Sequence, residues 1–454
     1  MRPLPPMGDR DSDLAEGLAR VAARAGLGPP GPLKRLTGGA TMESWRFDAG
    51  EESYVLRRSP SEAFMADRPF GHDVEAAVIR AAHAGGVSAP EVVAELEPAD
   101  GIGSGFVMRA LPGTPDPKVI LATGEAGRLL AECAAQLARI HALPATAIPG
   151  SVPTLDPREG IAAFREQFEA AGGDRPVIAL GIRWLMDNVP PPVEPVLNHG
   201  DYRVGNLLVE DGWLTGVLDW ELAHWSDWHE DLAFGCMAVW RFSRYEREAL
   251  GLGSIEEYCD AYEANGGRAV DPGRFRFWMV YRTVWWALGC LRMGETWRSG
   301  ADRTLERAVI SRRTSEQELD LLMLLESEAD ESERAHRVEH PGYKPLPEGE
   351  AGFGELAAAI SEWLVSIKDR MEGHDRFQLA VARNALGMIE REESMAAPHD
   401  LDRDLAQRLL AGERSLSTPS LLWHLRSVAL AKAEVDAPRY PALAVARKKW
   451  TGED

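Results

Sequence analysis

Residues 198–221 read NHGDYRVGNLLVEDGWLTGVLDWE, and the spacing of their polar side chains decides how the rest of the chain is read. Asp211-Gly212 falls between the apolar runs NLLVE and WLTGVLDW, the strongest short-range signal for a two-residue β-hairpin. With that loop, Glu210 faces Trp213 and Asn206 faces Val217. Side chains alternate along a strand, so Val217 and Asp219 share a face. Asn206 and Asp219 are then diagonal neighbours, roughly 7–8 Å apart at the backbone. That separation is too long for one hydrogen bond and suits two oxygen ligands converging on a hard cation such as Mg²⁺. Asp201, in the loop entering the hairpin, can face the same cavity. There it is placed to take a proton from a hydroxyl nucleophile aimed at a metal-held phosphate. His199 is expected to orient that loop through its ring nitrogens.

Working outward, the chain before this segment divides by texture. Residues 11–27 predict an amphipathic helix, and PLKRLTGGATMESWRFDAGEESYVLRRSP predicts a strand, a turn and another strand. GHDVEAAVIRAAHAGG predicts a helix stopping at Gly85-Gly86, and VVAELEP and GSGFVMRALPG two more strands. Long helical periods follow at 119–142, 157–172, 176–188, 254–265, 272–293 and 302–326. The polar, charged, Pro/Gly-containing stretch 327–352 has linker composition. Beyond it, Leu356, Ile360, Trp363, Leu364, Ile367 and Met371 share one helical face. The expected organisation is a β-rich lobe at 1–112, a helical lobe at 113–326, a linker at 327–352 and a helical accessory domain at 353–454. The fold class is α+β: a small antiparallel sheet, a mainly helical second lobe and an all-α bundle.

The order H-G-D-x-x-x-x-N, then D-W-E, resembles the catalytic and metal loops of the protein-kinase-like fold. Gly in place of Arg after the His resembles the aminoglycoside-phosphotransferase and choline-kinase-like branch. The resemblance runs through most of residues 30–325. It implies a bilobal kinase-like fold with ATP between the lobes, Asp201 as catalytic base, and Asn206 and Asp219 as Mg²⁺ ligands. Asp231 in HEDLAF is implied as a structural acid of the helical lobe. The flexible loop over the phosphates is implied at LTGGATMESW, with Gly38 and Gly39. The phosphate-clamping position falls on Arg57 of YVLRR, where relatives usually carry Lys; Arg can still clamp phosphates, bidentately. Its helix partner is implied at Glu75, and backbone groups near Arg109 and Ala110 are placed to meet adenine. The string VLRR…HDVE…VMRALPG…HGDYRVGN…VLDWE most resembles the phosphotransferase domain related to that fused to acyl-CoA dehydrogenases, which implies hydroxyacyl-CoA-type acceptors. The C-terminal segment resembles a helical domain of unknown function that accompanies such phosphotransferases. No G-x-x-x-x-G-K-[ST] occurs, so a P-loop is not supported.

Composition narrows the alternatives. The 454-residue chain carries 45% hydrophobic and 27% charged residues and a net charge of −21. A chain this acidic does not bind nucleic acid or an anionic membrane through overall charge. Its 4 cysteines form no C-x-x-C pair, which points to a reduced cytoplasm. No run of about 18 apolar residues predicts a transmembrane helix. The aromatic stretch 275–293 reads as core, and the His224/His229/Glu230/Asp231 cluster as local hydrogen bonding. The leading expectation is ATP- and Mg²⁺-dependent phosphorylation of a small-molecule hydroxyl. A kinase acting on aminoglycosides is the second enzymatic expectation. The third is a non-catalytic scaffold that binds nucleotide or acyl-CoA, which Arg57 favours. Protein partnership or self-association is expected through the C-terminal helical domain.

Overall fold

A computed structural model describes residues 7–36, 42–59, 68–339, 342–344, 349, 351–395 and 402–452, with side chains from residue 13 onward. Five antiparallel strands form the sheet expected near the N-terminus: β1 (Lys34–Arg35), β2 (Glu43–Ala49), β3 (Glu52–Ser59), β4 (Val92–Glu95) and β5 (Ser104–Arg109). They lie in the order β1-β2-β3-β5-β4. The helix Met7–Arg24 buries Leu14, Leu18 and Val21 at helical spacing against Phe47, Tyr54, Leu56 and Val107 of one sheet face. Alternation along β3 then turns Arg57 to the opposite face, toward the helix His72–Ala84 that carries Glu75. That helix ends at the predicted glycines, Gly86 having φ +80°.

Contacts divide the chain into two compact units. The first comprises 1–155, 193–236 and 247–271; the second comprises 156–192, 237–246 and 272–454. In the first, the sheet is joined by the helices Ala126–His141, Trp228–Cys236 and Ile255–Ala264. Four short strands complete it: β6 (Val196–Asn198), β7 (Leu207–Glu210), β8 (Trp213–Val217) and β9 (His224–Ser226). Every residue of the candidate site described below belongs to this unit.

The second unit is helical. Its aromatic helix Pro272–Arg298 buries Phe275, Phe277, Trp278 and Tyr281, as its helical spacing predicts. The helix Thr314–Leu325 is enclosed by Pro272–Arg298, Pro176–Asp187, Leu421–Asp436 and Pro441–Thr451. These units follow packing rather than the composition boundaries at 112, 326 and 352. Within 327–339 most side chains are exposed, Ala329, Glu333 and Val338 excepted. Glu326 and Glu333 are buried; Arg426 donates to Glu326 Oε2 (2.5 Å) and to the Arg334 carbonyl (3.0 Å), and the Val338 amide donates to the Trp450 carbonyl (2.9 Å). Partners about 90–120 residues away, invisible to local composition, anchor Glu326, Arg334 and Val338, while Glu328, Asp330, Glu331 and Arg334 keep exposed side chains. Among the described residues no helix is long and apolar enough to cross a membrane.

Candidate active site

The hairpin forms as expected at its turn. Asp211 and Gly212 both take left-handed backbone (φ +52° and +76°), and Glu210 pairs with Trp213. Above the turn the register departs from expectation. Val217 pairs with Leu207 rather than Asn206, because a bulge between Leu208 and Val209 places Leu208 opposite Gly216 and Val209 opposite Leu214. The extra residue, Thr215, donates its hydroxyl to the Pro112 carbonyl (2.6 Å). Thr114 and Val209 exchange two backbone hydrogen bonds (2.9 and 3.1 Å). Gly113 permits this approach, since a Cβ there would meet the Val209 carbonyl at 2.8 Å and its φ is +103°. Asn206 therefore ends a 3-10 turn, Val204–Asn206, and Asp219 (φ +68°) lies beyond the strand. Strand alternation does not set their common face. The Leu218 amide, donating to the Asn206 carbonyl (2.8 Å), keeps the two segments side by side instead.

The loop before Asp201 is fixed by one buried carboxylate. Asp231 accepts the His199 amide (2.5 Å) and the Gly200 amide (2.8 Å), and His141 Nε2 lies 3.4 Å away. Burial would raise this acid, but His141 and the other donors outweigh it and hold it at about 2. Gly200 is obligatory: its φ is +81°, and a Cβ would sit 2.2 Å from the Leu222 carbonyl. His199 is buried, which lowers its pKa and keeps it neutral. Its Nε2 donates to the Leu218 carbonyl (3.0 Å) and its Nδ1 accepts the Asp201 amide (3.2 Å), an assignment consistent with a single tautomer. The ring thus ties the loop to the strand end before Asp219.

Asp201 is held at both carboxylate oxygens. Arg203 Nε donates to Oδ1 (2.7 Å), and Asn206 Nδ2 donates to Oδ2 (2.7 Å) and to the Asp201 carbonyl (2.9 Å). Burial and the nearby Asp219 raise the Asp201 pKa, against the pull of Arg203. A carboxylate more basic than usual yet fixed in direction suits a general base.

A second charge cluster faces it. Arg57 Nη2 donates to Asp219 Oδ1 (2.5 Å) and Glu221 Oε2 (2.6 Å). Its Nε lies 3.1 Å from Glu75 Oε1, paired by charge without hydrogen-bond alignment. Arg68 adds a second guanidinium, donating to Glu221 Oε2 (2.6 Å). Burial drives Glu75 up to about 7 even though Arg57 pulls the other way. Asp219 goes down, because Arg57 overcomes its burial, and Glu221 goes up through burial and Asp219.

The structure brings together His199, Asp201, Asn206, Asp219, Arg57 and Glu75. Gly38 and Gly39 lie outside the described residues. At Arg109 and Ala110 the backbone amides donate within the sheet, to the Glu91 carbonyl (2.8 Å) and the Ser53 carbonyl (2.9 Å). Sequence reasoning gave no role to Arg203, Glu221, Arg68 or His141. Arg203 and Glu221 sit inside the opening segment, so their position was the available signal. Arg68 and His141 carried none, because only folding brings them to the site. The HWSDWHED residues pair locally, His224 with Glu230 (3.1 Å) and His229 with Asp227 (2.5 Å). Among the described residues no group of three or more His, Cys, Asp or Glu is arranged for a metal.

Mg²⁺ is bound by few protein oxygens and completed by phosphates and water. The donor set fits that habit. Asn206 spends its amide nitrogen on Asp201, which leaves its oxygen for a cation, and Asp219 already attracts the positive charge of Arg57.

The profile of the phosphotransferase enzyme family matches residues 32–278. Acyl-CoA dehydrogenase family member 10 of Mus musculus is 29% identical over 274 residues, which cover 53% of this chain and 25% of that protein. The match therefore spans a quarter of the length of this relative. A Ralstonia eutropha JMP134 protein, provisionally described as an aminoglycoside phosphotransferase, is 19% identical with a TM-score of 0.56, covering 69% of this chain and 98% of that one. A choline/ethanolamine kinase family protein of Mesorhizobium loti is 21% identical with a TM-score of 0.46, covering 70% and 95%. The Ralstonia likeness supports the α+β fold read from the sequence.

Proposed function

We propose, since the chain belongs to the phosphotransferase enzyme family, that it transfers the γ-phosphate of ATP to a hydroxyl of a small molecule. The observation that carries this reading is the Asp201 carboxylate, fixed by Arg203 and Asn206 and raised in basicity by burial. Asp201 orients the acceptor hydroxyl and takes its proton as the oxygen attacks phosphorus in line. His199 and Asp231 hold the loop so that this carboxylate does not turn away. Arg57, kept in place by Glu75, binds phosphate oxygens and exchanges its contacts with Asp219 and Glu221 for them. Asn206 and Asp219 would hold a Mg²⁺ ion, which would supply charge neutralisation of the phosphates.

For the acceptor we favour a hydroxyacyl-CoA or related acid. The stretch shared with acyl-CoA dehydrogenase family member 10 supports this, and the guanidinium of Arg203 beside the base suits an anionic acceptor better than a polycationic aminoglycoside.

The test is phosphate transfer from ATP with Mg²⁺ to hydroxyacyl-CoAs, free hydroxy acids, choline, homoserine and aminoglycosides. Asp201→Asn should keep nucleotide binding and lose about 10³-fold or more in turnover, the scale of a lost general base and its charge. Near-normal turnover in that variant overturns the assignment. One observation favours a nucleotide-binding scaffold instead: Arg57 stands directly on Asp219. ATP binding that is indifferent to Mg²⁺, with no transfer to any acceptor, is the result that reading expects.

A further inference from the structure

Two guanidiniums of the first unit converge on one carboxylate oxygen. Arg57 Nη2 and Arg68 Nη2 each donate to Glu221 Oε2, both at 2.6 Å. The same two side chains also share Glu75: Arg57 Nε lies 3.1 Å from its Oε1 and Arg68 Nη1 3.9 Å from its Oε2. Arg57 comes from β3, Arg68 from the chain just before the helix His72–Ala84, and Glu221 from the loop after β8. The two arginine side chains are only 13% and 11% exposed.

We propose that Glu221 Oε2 marks a phosphate subsite, in which Arg57 and Arg68 together clamp one phosphate group of the bound nucleotide, and that the Glu221 carboxylate occupies this place until the phosphate arrives. The subsite presupposes the phosphotransferase reading above.

The shared oxygen carries the assignment. An anionic oxygen hydrogen-bonded to two guanidiniums at once is the arrangement that a phosphoryl oxygen adopts between two arginines. Carboxylate and phosphate oxygens are acceptors of the same kind, so one can stand where the other will bind. Arg68 has no carboxylate of its own here; it duplicates the partners of Arg57. Two guanidiniums reaching one oxygen repel each other, and burial strengthens that repulsion unless an anion lies between them. His72, one turn before Glu75, registers the same field. Burial first, and then Arg68 and Arg57, push its ring down to about 4, and its buried Nε2 has no hydrogen-bond partner. The exchange of anions is open on one side only. Glu75 is 2% exposed and fixed, whereas Glu221 is 25% exposed and can turn toward water without opening the core.

Calorimetric titration of the full chain with adenosine, ADP and ATP, in EDTA so that no metal bridges the phosphates, tests this. The unmodified chain should bind ADP more tightly than adenosine. Arg68→Ala should weaken ADP and ATP about 10–100-fold, the scale of a charge-assisted hydrogen bond, and leave adenosine unchanged. An Arg68 that only supports the fold would lower all three alike. Glu221→Gln should act in the opposite direction and tighten ADP and ATP about 3-fold or more, because the site is no longer occupied by its own carboxylate. Asp73→Asn removes an exposed charge from the first turn of the neighbouring helix and should change neither, which separates displacement from a general effect of charge. Should Arg68→Ala lose adenosine too, Arg68→Gln, which keeps a donor for Glu221, carries the same test. Adenosine and ADP bound equally by the unmodified chain, ADP affinity unaltered or adenosine lost equally in both Arg68 variants, no tightening in Glu221→Gln, or an equal gain in Asp73→Asn overturns the subsite and leaves the phosphotransferase reading standing. An unmodified chain that binds none of the three overturns that reading, and the subsite with it.

Discussion

Asp231 shows how far a single buried carboxylate reaches. It satisfies two successive backbone amides of a loop whose glycine admits no side chain, and it draws in His141, whose Nδ1 lies 2.7 Å from the Tyr262 hydroxyl. Asp231→Asn can accept at one atom only and must point a donor at an amide. The expected cost is about 2–4 kcal/mol, the range for breaking a buried, hydrogen-bonded charge. Chemical denaturation of the purified variant checks this, and its turnover should fall with the loop that carries Asp201. An unchanged midpoint would mean that the loop holds without the acid. At the same scale the Arg57 cluster explains a departure from the usual lysine. A guanidinium spreads its charge over two edges, Nη2 donating to Asp219 and Glu221 while Nε sits against Glu75, whereas one ammonium is a compact point charge.

Among elements, the hairpin and the chain entering it behave as one piece. The bulge at Thr215 would be a defect if the hairpin stood alone. Here it aims the hydroxyl at the Pro112 carbonyl while Thr114 bridges to Val209. Residues 112–114 follow directly on β5, so this bonding couples the sheet bearing Arg57 to the hairpin bearing Asp219. Gly113→Ala forces a Cβ to within 2.8 Å of the Val209 carbonyl at a φ of +103°. The expected loss is about 1–3 kcal/mol of stability, with a rise in KM for ATP larger than any fall in kcat. Thermal melting and steady-state kinetics of the variant measure both. Equal KM values would show that the bridge is not needed to hold the phosphate side of the site.

Over the whole molecule, the second unit is built around an unusually polar buried helix. Thr314–Leu325 buries Glu316, Glu318 and Asp320. Lys432 pairs with Glu318, and the Tyr440 hydroxyl donates to Asp320 Oδ2 (2.5 Å). Burial raises Asp320 to about 7 despite that hydrogen bond. The folded state therefore holds a proton that the unfolded chain, with an ordinary aspartate near 3.8, releases. This group's contribution to stability is complete below pH 3.8 and is lost as pH rises through about 7. Asp320→Asn keeps the hydrogen-bonding shape without the titration. Relative to it, the unmodified chain should lose up to about 1.4 kcal/mol per pH unit across that window. Urea midpoints of the two proteins between pH 4 and 7 report the difference, and parallel curves would rule the linkage out.

Local pattern determined much of this protein. The Asp-Gly turn, the spacing from Asp201 to Asn206, the antiparallel sheet and the aromatic core helix follow from rules acting over a few residues: left-handed backbone at a turn, alternation along strands, the helical period. Residues inside the opening motif were legible because chain order alone brings them together. Tertiary structure decided the rest. The bulge came from Pro112 and Thr114, about 100 residues before Thr215. Asp219 and Glu221 acquired their cations from Arg57 and Arg68, 153–164 residues earlier in the chain. Glu326, at the head of the acidic run 326–334, became buried because Arg426 and Trp450 arrived from the end of the chain, while Glu328, Asp330 and Glu331 stay exposed. The face of the helix Phe353–Ile367 that carries Leu356, Ile360 and Trp363 reads as core by period, yet stands exposed. Periodicity reports which side chains share a face; only packing decides what, if anything, covers that face.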